Sequence, residues 1–316
     1  MDRHDVDWKG YWTAVVTPFT ATGELDEGAF ARIVEIAVDE GVHGILVNGS
    51  TGEWFSQTTD ERRRLAEIAV KESAGRVPVV VGVTCTRASD TVELARHAGD
   101  AGASSIMASP PPMARPTAAE LHAYYSTVFA ATDLPGWLYN FPQDNGHLIG
   151  IDEIERLADL PNVVAIKQSA PGTQTLLDTI DRVGDRLVVF GHMLGRLGLA
   201  LISSGYGGDG HFGSGLLLGR DMPGFFEHAW AGETVQAAAI ADRYDALMEV
   251  MLGDRVDGYN WAFGGMQPTL KAAMNLLGQP AGYPREPKLP VDDPTALSAI
   301  ADALRDAGLT VTASSA

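Results

Sequence analysis

Eight short apolar runs alternate with amphipathic segments along most of this chain, and this alternation limits its possible folds more than any other feature. The runs are YWTAVVTPF (11–19), GILVNG (44–49), PVVVGV, SSIMASP, GWLYNFP, VVAIKQS and RLVVFGH, with the eighth somewhere in GGDGHFGSG (207–215). The segments between them have helical period. In DEGAFARIVEIAVDEG (26–41), Phe30, Ile33, Val34, Ala37 and Val38 fall on one helix face. TTDERRRLAEIAVKESAG (58–75) opens with Thr58 or Thr59 as N-cap, carries Glu61 in its first turn and closes near Gly75.

A strand that is apolar throughout has both faces covered, as in a parallel sheet lying between helices. Eight strand–helix units, repeating roughly every 25–30 residues, predict an α/β fold: a closed (β/α)₈ TIM barrel rather than an open doubly wound sheet. After about residue 220 only helical patterns remain, in ETVQAAAIADRYDALMEVML, GGMQPTLKAAMNLLG and DDPTALSAIADALRDAG. The expected division is a barrel catalytic domain over 9–220. The last barrel helix and a C-terminal helical appendage then fill 221–310, packed on the barrel without a linker. The length of 316 residues also allows two domains, but single barrels run this long. The tail TVTASSA is expected to fray.

A net charge of −18 argues against nucleic acid or an anionic membrane as a partner, since both select basic surfaces. The single cysteine, Cys85, excludes an internal disulfide and fits a reducing compartment. The N-terminal MDRHDVDWKGYW lacks the apolar core of a signal peptide, and no run of about 18 apolar residues appears. The expected location is cytoplasmic.

Barrel active sites lie where the strands end, so the polar residues that close each apolar run are the candidates. One run ends in Asn48, Gly49, Ser50, Thr51, Gly52, Glu53. Another ends in Tyr139, Asn140, Phe141, Pro142, and a third in Lys167, Gln168, Ser169. Lys167 follows four apolar residues, Val163 to Ile166, in a chain with five lysines and eighteen arginines. Burying an ammonium is costly, and a lysine pushed toward its neutral form becomes a nucleophile, which arginine cannot be. Structural alternatives stand beside each reading. Ser50-Thr51-Gly52 is also an ordinary turn sequence, and Tyr139 could be a packing tyrosine. Lys167 could belong to a buried ion pair, for which Glu53 and Asp144 are the acids nearest the same rim.

Taken together, these residues fit Schiff-base chemistry. A neutral amine attacks a ketone, and the resulting iminium nitrogen stabilises an enamine at the adjacent carbon. Hydroxyls and turn N–H groups at Ser50, Thr51 and Gly52 would hold the carboxylate of a 2-keto acid, and a phenol would move protons near the imine carbon. No cofactor and no metal are required.

GSTGE (49–53), YNFP (139–142) and AIKQS (165–169) together resemble the motifs of the dihydrodipicolinate synthase and N-acetylneuraminate lyase family of class I aldolases. The resemblance covers roughly residues 9 to 235, and Tyr139 and Lys167 stand at the family's usual spacing. It implies a catalytic Lys167 forming the imine, a catalytic Tyr139 relaying protons, and Ser50 and Thr51 binding the substrate carboxylate. It also implies a homo-oligomer, a tetramer or dimer, acting on small-molecule 2-keto acids and aldehydes.

The chain departs from both namesake enzymes. The synthase branch carries an arginine two residues past the motif proline, where this chain has Asp144. It also carries a paired tyrosine segment, where this chain has SPPPMARP (109–116). The lyase branch places an Asp-Glu pair for sugar hydroxyls where this chain has Met193 and Leu194. An acidic or polyhydroxylated acceptor therefore fits less well than an apolar, aromatic or short one. Trp54, Trp261 and Phe263 are candidate walls, the last two only if the C-terminal helices cap the barrel mouth.

Gly208, Gly210 and Gly213 match a GxGxxG spacing but lack the helix that a dinucleotide site needs. The same stretch, with Gly213 and Ser214, is better placed to meet the substrate. His192, His211 and Asp209 lack compact metal-ligand spacing. Two other readings stay open: a dehydratase or hydratase using the same imine, and a catalytically silent barrel kept for binding or regulation.

Overall fold

The computed structural model describes residues 1–252 and 261–312. The last four residues of the tail expected to fray, 313–316, lie outside the described residues. Eight strands form the barrel: β1 Gly10–Ala14, β2 Gly44–Val47, β3 Val79–Gly82, β4 Ser105–Ala108, β5 Gly136–Asn140, β6 Val163–Gln168, β7 Val188–Phe190 and β8 Gly210–Ser214. Each pairs in parallel with the next, and β8 closes on β1.

The helices are α1 Glu27–Asp39, α2 Thr59–Ser73, α3 Ala88–Asp100, α4 Ala118–Phe129, α5 Pro142–Asn145, α6 Ile151–Leu157, α7 Thr173–Val183, α8 Arg196–Ser204 and α9 Asp221–Trp230. After them come α10 Thr234–Met251, α11 Met266–Leu276 and α12 Pro294–Asp306. This is the (β/α)₈ barrel with C-terminal helices that the periodicity predicts.

Local chemistry sets the element ends. Thr58 and Glu61 form a reciprocal capping box at the start of α2, and Ala74 in the left-handed region ends that helix. The first strand is shorter than its apolar run: pairing with β2 and β8 ends at Ala14, and Val15 to Phe19 continue beyond it. β8 falls inside the interval expected for it. Gly210 and Gly213 are required there by packing. A Cβ at Gly210 would lie 2.3 Å from the Gly10 carbonyl oxygen, and one at Gly213 would lie 2.1 Å from the Tyr11 hydroxyl. The GxGxxG spacing is thus a strand feature. A turn follows it before α9.

Two apolar layers hold the fold. One lies between strands and helices and includes Phe30, Val34, Leu65, Leu94, Leu121 and Ile154. The other fills the barrel with Trp12, Leu46, Met107, Trp137, Phe190 and Phe212. Burying side chains of this size stabilises by about 1.5–3 kcal/mol each. Trp8, just ahead of β1, stacks on Trp137 with ring centroids 5.0 Å apart. The barrel is therefore packed with aromatic rings from the end where the strands begin, and polar groups collect at the other end. No helix among the described residues is long and apolar enough to cross a membrane.

Candidate active site

Parallel pairing puts Tyr139 on β5 in register with Lys167 on β6, and Lys167 in register with Phe190 on β7. The Lys167 ammonium lies 4.3 Å from the Tyr139 ring centroid and 5.2 Å from that of Phe212. Among the described residues no carboxylate comes within ion-pair distance of it. Burial pushes its pKa down to about 7, opposed by the charge of Asp144. A sizeable fraction of Lys167 is thus a neutral amine near neutral pH.

Ser50, Thr51 and Gly52 form a buried 3₁₀ turn directly after β2. The Ser50 hydroxyl donates to Asp144 Oδ2 at 2.5 Å, and the hydroxyls of Thr51 and Ser214 share a hydrogen bond of 3.3 Å. Gly52 contributes backbone alone; a Cβ there would crowd the Val15 carbonyl oxygen at 3.2 Å. Asp144, on the short helix α5, is exposed. Ser50, Tyr139 and Asp144 border one small cavity together with Trp54.

A larger cavity of about 450 Å³ opens beside the end of β6, next to Gln168 and Ser169. Ser169, Leu194, Phe212, Ser214 and Trp261 border it, as does His192. His192 is exposed to this cavity, and the protein packed around its ring, with the Lys167 charge, pushes its pKa down to about 4. His211 is also neutral. Burial holds its pKa well below the usual value, and Nδ1 accepts the Met193 and Leu194 N–H groups at 3.1 and 3.2 Å.

The structure brings Ser50, Tyr139, Asp144 and Lys167 together, and brings Ser169, Leu194 and Ser214 to the large cavity. Met193, Gly213 and Phe263, expected at the site, border neither cavity. Met193 is fully buried and packs over Gly208, so of the pair at 193–194 only Leu194 borders the cavity. Gly213 serves the fit of Tyr11. Phe263 is partly buried against the apolar layer and borders neither cavity. Asp209 lies at the start of β8, bonded to Arg3 and to the Val189 N–H, and is not grouped with the two histidines. Gln168 turns outward, donating to Thr179 Oγ1 at 2.8 Å.

Sequence reasoning missed the contribution of α10 and α11. Tyr244, Asp245 and Met248 from α10 border the large cavity. Lys271 on α11 is a second buried lysine, and it is the one paired with Glu53, at 2.5 Å. The scarcity of lysine that singled out Lys167 applies equally to Lys271, which also interrupts an apolar helix face.

The sequence profile of the dihydrodipicolinate synthetase family matches residues 7–305. A 4-hydroxy-tetrahydrodipicolinate synthase of Methylobacterium radiotolerans is 31% identical over 309 residues, covering 96% of this chain and 97% of its own. An uncharacterized DapA-like lyase of Rhizobium meliloti is 29% identical over 294 residues, 91% of this chain and 92% of its own. Among solved structures, YagE is a prophage protein of that synthase family from E. coli K12, seen in complex with pyruvate. It superposes with TM-score 0.85 at 25% identity, covering 96% of this chain and all of its own. Over nearly its whole length this chain belongs to the dihydrodipicolinate synthetase family of barrel lyases.

Proposed function

We propose that this enzyme makes or breaks a C–C bond through a Schiff base between Lys167 and pyruvate or a related 2-keto acid. The observation that carries this reading is the partly neutral, buried Lys167 lying against the Tyr139 ring. The Lys167 amine adds to the keto carbon, and the carbinolamine loses water to give a protonated imine. The C3 proton then leaves, and the enamine carbon attacks an aldehyde, whose oxygen takes up a proton. Hydrolysis of the new imine frees Lys167. Tyr139 supplies and removes the protons, and the turn at Ser50 to Gly52 holds the carboxylate. Cleavage runs the same steps backwards.

The acceptor class is an uncharged apolar or aromatic aldehyde. Leu194, Phe212, Met248 and Trp261 give the large cavity an apolar side, facing Ser169, His192, Arg196 and Asp245 on the rest of its wall, and Asp144 at the neighbouring small cavity opposes an anionic acceptor. Treatment with pyruvate and borohydride tests the central step: a reduced pyruvyl group is expected on the Lys167 peptide, and none in Lys167→Arg. Labelling of Lys71 or Lys271, or of no lysine, refutes it. Product analysis then separates a lyase, which yields two carbonyl fragments, from a dehydratase, which yields one.

A further inference from the structure

We infer that Gln267 and Lys271, both on α11, are positioning residues that hold the Ser50–Gly52 turn in its substrate-ready form. This rests on the reading of that turn as the carboxylate site.

The turn is gripped at both ends. Gln267 donates through Nε2 to the Ser50 carbonyl oxygen at 3.0 Å. Four residues on, and so on the same face of α11, Lys271 reaches Glu53 at 2.5 Å. Glu53 closes the turn with φ of 59°, a left-handed conformation that is costly for a residue with a side chain. Such a conformation persists only where its surroundings over-determine it. Here they do. The Glu53 side chain is fully buried, and its second oxygen accepts the Arg285 N–H at 3.0 Å.

Lys271 pairs with Glu53 and donates to the Thr17 carbonyl at 2.6 Å and to the Tyr283 carbonyl at 2.8 Å. Two donated hydrogen bonds and the ion pair with Glu53 hold it as a strut and not a nucleophile. Met266, next to Gln267 at the start of α11, receives the Ser214 hydroxyl, which in turn meets Thr51. Burying such a pair stabilises little compared with apolar residues of the same shape, so its use here is in fixing geometry. The carboxylate turn is thus set by a helix more than two hundred residues further along the chain.

The test uses two variants of the full chain, Gln267→Met and the double variant Glu53→Gln with Lys271→Met. The double change removes both charges together and leaves neither buried without its partner. Each is trapped with borohydride using pyruvate and, separately, acetone, a ketone without a carboxylate. The expected result is that half-saturation by pyruvate rises by about 10-fold or more, while acetone trapping at Lys167 stays within about two-fold of the parent. The maximal rate of pyruvate trapping should change much less than its half-saturation. Unchanged pyruvate half-saturation in a folded variant overturns the inference, as does an equal loss with both ketones. If the parent protein labels at Lys167 with neither ketone, the Schiff-base reading fails, and the positioning role fails with it.

Discussion

Lys167 and Tyr139 are register partners on adjacent strands, and the ammonium of one lies 4.3 Å from the ring centroid of the other. A ring this close to the amine helps keep water from it, and under the proposed mechanism the same tyrosine moves the protons. In that mechanism the pair ties the amine's ionisation to the chemistry it starts.

The rate of imine trapping should rise with pH about a midpoint near 7, because the neutral amine is the nucleophile and its pKa is pushed down to about 7. Below the midpoint the ammonium predominates and trapping slows, and well above it the rate levels off. A profile still rising at pH 10 would show that Lys167 keeps an ordinary lysine pKa and would remove the electrostatic basis of the mechanism.

Asp144→Asn should move that midpoint to lower pH. The carboxylate favours the ammonium form of Lys167, so removing its charge lets the amine lose its proton more easily. The shift should be small and should shrink in salt, since Asp144 is exposed. The amide oxygen can still accept from Ser50, which keeps the geometry while removing the charge. A midpoint that moves upward would contradict the assignment.

Tyr139→Phe should fold normally and lower turnover by roughly 10²-fold, the usual scale for losing a positioned acid–base. The ring that desolvates Lys167 stays, so the trapping midpoint should hold while the rate falls. An unchanged turnover would leave Tyr139 a packing residue.

In a one-pot competition for pyruvate, an aromatic aldehyde should show a higher specificity constant than N-acetylmannosamine or aspartate semialdehyde. Leaving a buried hydroxyl without a partner costs about 1–3 kcal/mol, and Leu194, Phe212 and Met248 give a sugar hydroxyl no strong partner on their side of the cavity. Trp261→Ala should weaken the aromatic acceptor and spare half-saturation by pyruvate. Preference for the sugar or the semialdehyde would overturn the pocket assignment.

Lys271→Ala should destabilise the fold by about 3–5 kcal/mol in denaturant titration, because it leaves the Glu53 charge buried without its lysine partner. A loss within experimental error would mean that water reaches Glu53 once the lysine is removed.

The barrel was legible from the sequence because burial on both faces makes a strand apolar throughout, and eight such runs separated by helical period leave few other arrangements. Lys167 was legible for a related reason: a charge at the end of an apolar run in a lysine-poor chain signals an ammonium kept from water. Its partner was not. Glu53 and Asp144 both stood as candidates, and the folded chain gives Glu53 to Lys271 and leaves Asp144 to act on Lys167 across a short distance and through solvent. In the same way, Met193 and Leu194 are neighbours in sequence, yet one turns into the core and the other borders the cavity. Apolar period and burial are local properties that a sequence carries in itself. Which carboxylate meets which lysine, and which side chain faces the cavity, depend on contacts such as Gln267 with Ser50, made between distant residues only when the barrel closes.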